Sequence, residues 1–116
     1  MAMGSLTRHM DAETLKGHLE LLLLAAVQSE PSHGYAIAEI LRARSGGTFN
    51  LAEGTLYPAL HRLEGAGLLS SRWSEAGGRR RRVYQLTQKG QKALARRQDE
   101  WRAFARAVHL VIQEAV

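Results

Sequence analysis

The chain has no cysteine. That excludes a disulfide framework, a thiolate metal site and a cysteine nucleophile, and it suits a reducing cytoplasm. A long hydrophobic run is missing too: the stretch Leu19 to Val27 is broken by Glu20 and is about half of what a bilayer span requires. No secretory signal is visible, since the N-terminus shows neither an apolar h-region nor a cleavage site. The five histidines, His9, His18, His33, His61 and His109, form neither an HxxxH nor an HxH spacing, so no metal ligand set emerges. Gly46-Gly47 and Gly77-Gly78 lack phosphate-cradling spacing and read as turns, and the serines lack a nearby His/Asp pattern. No repeat or low-complexity linker divides the 116 residues. These absences predict a single soluble cytoplasmic domain that is not an enzyme and needs no cofactor, metal or membrane.

What is present is charge, unevenly placed. The net +5 gives a pI near 10.2. Residues 11–71 hold four Lys/Arg against seven Asp/Glu, whereas residues 72–106 hold eleven against three. Positive charge gathered in one segment suggests a polyanionic partner. Met1 to Met10 (MAMGSLTRHM) reads as an appended leader outside the fold.

Apolar spacing predicts a first helix over Ala12 to Gln28, with Leu15, Leu19, Leu22, Leu23 and Ala26 in register. Glu30-Pro31-Ser32 breaks it, and Ser32 is the expected N-cap of a second helix over His33 to Arg44. Ser45-Gly46-Gly47 ends that helix. Asn50-Leu51-Ala52-Glu53 approximates a capping box for a third helix to about Glu64, closed by Gly65-Ala66-Gly67. Pro58 is tolerable within it because the carbonyl its ring would crowd belongs to Gly54. Leu68 to Ser74 and Arg79 to Leu86 flank a Gly-Gly turn and predict a β-hairpin. Thr87 is placed to cap a last helix of roughly 40 Å. Helix, helix, helix, hairpin and long helix is a mainly α winged helix-turn-helix arrangement. The order predicts that residues 11–87 make a DNA-binding domain and residues 88–116 a dimerisation helix.

On a helical wheel Ala52, Leu56, Ala59, Leu60 and Leu63 make the core face of the third helix. Gly54, Thr55, Pro58, His61 and Arg62 lie opposite, with Tyr57 at the edge. This small, then polar, face suits a major groove, and Asn50, just ahead of it, joins the DNA-facing set. The wing concentrates Arg79, Arg80, Arg81 and Arg82 beside the turn. Strand alternation sends Arg80 and Arg82 to one side and Arg79 and Arg81 to the other, where they can meet phosphates or a narrow minor groove. Tyr84 and Leu86 are expected to tie the wing to the core. In the last helix Trp101, Phe104, Val108, Val111 and Ala115 follow a 3-4-3-4 rhythm. A long helix with no further chain to cover this stripe calls for a second copy. The expected dimer interface adds Leu15, Leu19 and Ile112.

The sequence resembles the PadR family of bacterial transcriptional regulators. The resemblance rests on His33-Gly34-Tyr35-Ala36-Ile37, on Gly54-Thr55-Leu56-Tyr57-Pro58-Ala59-Leu60 with Arg62-Leu63-Glu64, and on Gly67-Leu68-Leu69. It continues through Gly77-Gly78-Arg79, Tyr84-Gln85-Leu86-Thr87 and Lys89-Gly90. The single C-terminal helix is similar to the family's compact subclass. The resemblance implies a homodimeric repressor on an inverted repeat in double-stranded promoter DNA, with Tyr35 on a phosphate. It also implies a small aromatic effector between subunits, lined by Gly17, Leu21, Trp101, Phe104 and Ala105. The run of four arginines is denser than the family's usual wing, and His61 stands where another residue is common.

A different class of function fits the same residues: a winged-helix interaction module whose basic wing binds an acidic protein. The acidic balance of residues 11–71 favours it, and salt dependence separates the two. A membrane-surface role for the last helix is a third reading.

Overall fold

A computed structural model describes Leu15 and residues 17–113. Residues 1–10, expected to be a leader, and Ala115, expected at the dimer seam, lie outside the described residues. The described residues form four helices and a small antiparallel sheet: α1 (Leu19–Gln28), β1 (Ser32–His33), α2 (Gly34–Arg44), α3 (Glu53–Gly65), β2 (Leu69–Ala76), β3 (Arg79–Leu86) and α4 (Gln88–Ile112). This is the winged helix-turn-helix order read from the sequence, with the sheet ordered β1-β3-β2.

The first helix does not run unbroken from Ala12. Gly17 takes φ +92°, which a side chain would resist, and α1 starts afresh at Leu19. Its apolar side buries Leu23, Leu24, Ala26 and Val27 against Ile37 and Leu41 of α2, and Leu56, Ala59, Leu60 and Leu63 of α3. Tyr84 and Leu94 complete the core. Each fully buried leucine contributes about 1.5–3 kcal/mol of transfer free energy. Leu15, expected at the dimer seam, is already 3% exposed within the single chain and has no area left for a partner.

Ser32 does not cap α2. It belongs to β1, pairing with Tyr84 of β3, and its hydroxyl donates to the Glu30 carbonyl at 3.1 Å. The cap is His33, whose Nδ1 accepts from the Ala36 amide at 3.2 Å. Nor does Asn50 open α3. Phe49 and Leu51 pack against the core, and the chain stays extended to Ala52, the N-cap, which has no side-chain hydrogen bond. Ala52, assigned to the core face, is therefore exposed. Pro58 is accommodated without a break in α3.

The wing turns at Gly77 (φ +61°) and Gly78 (φ +76°), the two left-handed positions of a type I′ turn. Because the loop is only these two residues, β2 extends to Ala76, two beyond the expected Ser74. The hydroxyl of Thr87 caps α4 as expected, accepting from the Gly90 amide at 2.9 Å, and it also donates to the Gly67 carbonyl at 2.6 Å. Helix α4 has 25 residues, about 38 Å at 1.5 Å each. Only its first half is buried, at Gly90, Ala93 and Leu94. Beyond that Trp101, Phe104, Val108, Leu110, Val111 and Ile112 are all exposed.

Candidate nucleic-acid interface

The type I′ turn fixes the register of the wing: Trp73 opposes Arg82, Ser74 opposes Arg81, and Glu75 opposes Arg80. Directly opposed residues share a face, so Arg80 and Arg82 lie with Trp73, while Arg81, two residues from Val83, shares the opposite face with His33. The Arg80 guanidinium sits 4.5 Å from the Trp73 ring centroid and that of Arg82 5.2 Å, both within cation–π range. Arg82 is held further: its Nε donates to Ser71 Oγ at 2.8 Å, Ser71 Oγ donates to Glu64 Oε2 at 2.6 Å, and Arg82 Nη2 lies 3.9 Å from that same carboxylate. It fastens the wing to α3, whereas Arg79 and Arg80 are exposed.

On the other face Arg81 Nη1 meets His33 Nε2 at 2.7 Å. Tyr35, 70% exposed, stacks on His33 with centroids 6.4 Å apart. Tyr57 reaches across from α3 to the start of α2. A Cβ on Gly34 would fall 2.5 Å from its hydroxyl, so glycine there admits the ring. His33, Gly34, Tyr35, Tyr57 and the four arginines line one cleft of about 430 Å³.

The remaining expected DNA-facing residues divide. Gly54, Thr55, Pro58 and Arg62 line a separate groove of about 390 Å³ with Gly17, Leu19, Glu20 and Arg97, where Arg97 Nη2 pairs with Glu20 Oε1 at 2.7 Å. Asn50 and His61 are exposed and line neither space. Sequence reasoning missed His33 and Trp73. The two-residue turn could have placed Trp73 across from Arg82; nothing local marks His33 as a neighbour of Arg81. As expected, Tyr84 is an anchor: it is buried, and burial first and the Glu64 carboxylate second push its phenol above the ordinary range.

Of the expected effector residues, Gly17, Leu21, Trp101 and Phe104 meet in a third cleft of about 200 Å³ with His18, Arg97 and Glu100. Trp101 stands edge-on to His18 at 5.3 Å and tilted to Phe104 at 5.9 Å. Ala105 is half-buried and outside that lining. Among the described residues no group of three or more His, Cys, Asp or Glu could hold a metal, and no helix is long and apolar enough to cross a membrane.

Burial first and the Arg81 charge second hold the His33 imidazole below its ordinary value of 6.5. The folded chain therefore binds this proton less readily than the unfolded chain. The stability linked to neutral His33 is complete above pH 6.5 and is lost as pH falls through the lower folded value. Thermal melts on either side of that window should show this decline in the wild type and not in His33→Asn, which still caps α2 but does not titrate there.

Three helices, a β-wing packed beside the third of them and a long projecting helix define a winged helix-turn-helix protein. Residues 23–96, more than half of the chain, match the sequence profile of the Transcriptional regulator PadR-like family, and the chain belongs to that family. Its members are transcriptional regulators, not enzymes. The chain is 36% identical over 96 residues to the transcriptional regulator Rv3488 of Mycobacterium tuberculosis, covering 83% of this chain and 87% of that protein. It is similar to a PadR family transcription regulator from Clostridium difficile, at 32% identity and TM-score 0.75 over 84% of this chain and all of that one. A transcriptional regulator from Clostridium thermocellum superposes with TM-score 0.80 at 25% identity, over 88% of this chain and all of that one.

Proposed function

We propose that the protein is a cytoplasmic homodimeric repressor that binds an inverted repeat in double-stranded promoter DNA and is released by a small aromatic effector. The observation that carries this reading is the convergence of α2, α3 and the wing on one arginine-lined cleft, beside the exposed face of α3. Phosphates would lie along Arg79, Arg80, Arg81 and Tyr35, and Thr55, Pro58, His61 and Arg62 would face the major groove. The uncovered apolar residues of α4 support pairing with a second copy, which would present two recognition helices. The cleft beside Trp101 supports a flat apolar effector.

The test is an anisotropy titration on the promoter immediately upstream of the protein's own gene, at two salt concentrations, with a random duplex as control. Two chains per site and a clear preference for the promoter are expected. Weak binding, equal on both duplexes and abolished by moderate salt, would favour an acidic protein as the partner of the wing.

A further inference from the structure

One imidazole lone pair at His33 is claimed by two donors. The Ala36 amide points at Nδ1 from 3.2 Å and Arg81 Nη1 faces Nε2 at 2.7 Å. A neutral ring accepts at only one nitrogen, and an imidazolium at neither. Either neutral tautomer therefore leaves one donor against an N–H, and protonation makes both contacts worse. An anion in the cleft relieves the conflict by drawing the Arg81 guanidinium off Nε2 and giving both groups one acceptor. With Nδ1 accepting from Ala36, Nε2 carries the proton, and His33 and Arg81 become two donors converging on one oxygen. The other side chains lining the cleft are compatible with an anion: Arg79, Arg80 and Arg82 from β3, Tyr35 from α2 and Tyr57 from α3, with no carboxylate among them. The amino end of α2, beginning at Gly34, adds partial positive charge on the same side.

We infer that His33 and Arg81 form a seat for one backbone phosphate of duplex DNA, in which His33 donates from Nε2 as a neutral imidazole. The inference rests on the DNA-binding reading above and adds His33 to it as a contact residue. The phosphate fixes a tautomer that the free protein leaves contested, so α2 is capped fully when DNA is bound. His33 thereby joins the positioning of α2 to the position of the wing.

Binding of a random duplex, followed by anisotropy across a salt series, tests the seat without an identified operator. His33→Asn keeps a cap acceptor and removes the second ring nitrogen. Above the titration window of His33 it should melt as the wild type does, and it should bind about tenfold more weakly at every salt concentration. Its salt slope should not change, because a neutral donor displaces no counterion. Arg81→Gln should lower the slope by about 0.9. Long-range proton–nitrogen spectra of the wild-type complex should place the His33 proton on Nε2. Unchanged affinity in His33→Asn, a slope lowered by that substitution, or a bound ring protonated on Nδ1 would each overturn the seat while leaving DNA binding intact. A wild type that binds no duplex at low salt would overturn both.

Discussion

Replacing Arg79, Arg80 and Arg81 with alanine will weaken binding to specific and random duplexes alike, by about two orders of magnitude at moderate salt. It will also flatten the dependence of log affinity on log salt by about two to three. The estimate counts three arginines because the fourth is committed elsewhere. The Arg82 guanidinium is already engaged by Ser71 and Glu64, and moving it to a phosphate would leave Glu64 with Ser71 but without its cationic neighbour. Arg80 differs, since the Trp73 ring that carries it supports the guanidinium without using its in-plane donors. Arg82→Ala alone should leave the salt slope nearly unchanged and loosen the wing, which thermal melting would register. Equal effects of the triple and the single substitution would show that the wing does not divide labour in this way. Unchanged affinity in the triple variant would remove the wing from DNA binding.

The alternation of the arginines between two faces could be read in the sequence because Gly77-Gly78 leaves a two-residue loop little choice of register, whereas the tie of Arg82 to Ser71 and Glu64 could not. Once the turn is fixed, Trp73 opposite Arg82 follows, though the tryptophan is conspicuous only after the strands are paired. The core face of α3 was equally legible, since Leu56, Ala59, Leu60 and Leu63 keep helical spacing through Pro58. Failures fall where local chemistry is outvoted by packing. Asn50 and Glu53 have capping-box spacing, yet burying Phe49 and Leu51 holds the chain extended through Ala52. Apolar burial outweighs a side-chain cap worth about 1 kcal/mol. Strand β1 has two residues, too few for any alternation to show, and it exists through pairing with β3, some fifty positions away. That pairing carries His33 to Arg81, so the most specific polar contact in the candidate site depends on the element with the weakest sequence signal. Gly17 misled in the opposite direction: helix formers flank it and the expected helix runs straight through it, but its backbone turns left-handed and separates Leu15 from α1.

Gly90→Ala will be the most damaging single-methyl change in the chain, although helix propensity alone favours it. Alanine inside a helix gains about 1 kcal/mol over glycine, and Gly90 lies in the first turn of α4 with ordinary helical geometry. The opposing effect is steric. A Cβ at this position would drive into the Leu68 carbonyl oxygen, with the Leu68 carbonyl carbon at 3.0 Å and Leu86 Cδ2 at 3.1 Å. A backbone carbonyl cannot rotate aside as a side chain can, and this one also accepts from the Thr87 amide at 3.2 Å. Moving α4 outward would stretch the Thr87 cap and lift Ala93 and Leu94 from the core. Overpacking against fixed backbone costs about 3 kcal/mol, so the clash exceeds the propensity gain. A domain of this size loses roughly 4–8 °C of melting temperature per kcal/mol, and a net cost near 2 kcal/mol corresponds to about 8–16 °C. Gly65→Ala at the end of α3 provides the contrast, because nothing lies within 4 Å of its added Cβ. It should melt at or slightly above the wild-type temperature. If the two variants melted together, α4 would not approach Leu68 as closely as the structure places it, and the docking of the long helix onto the winged domain would need a different geometry.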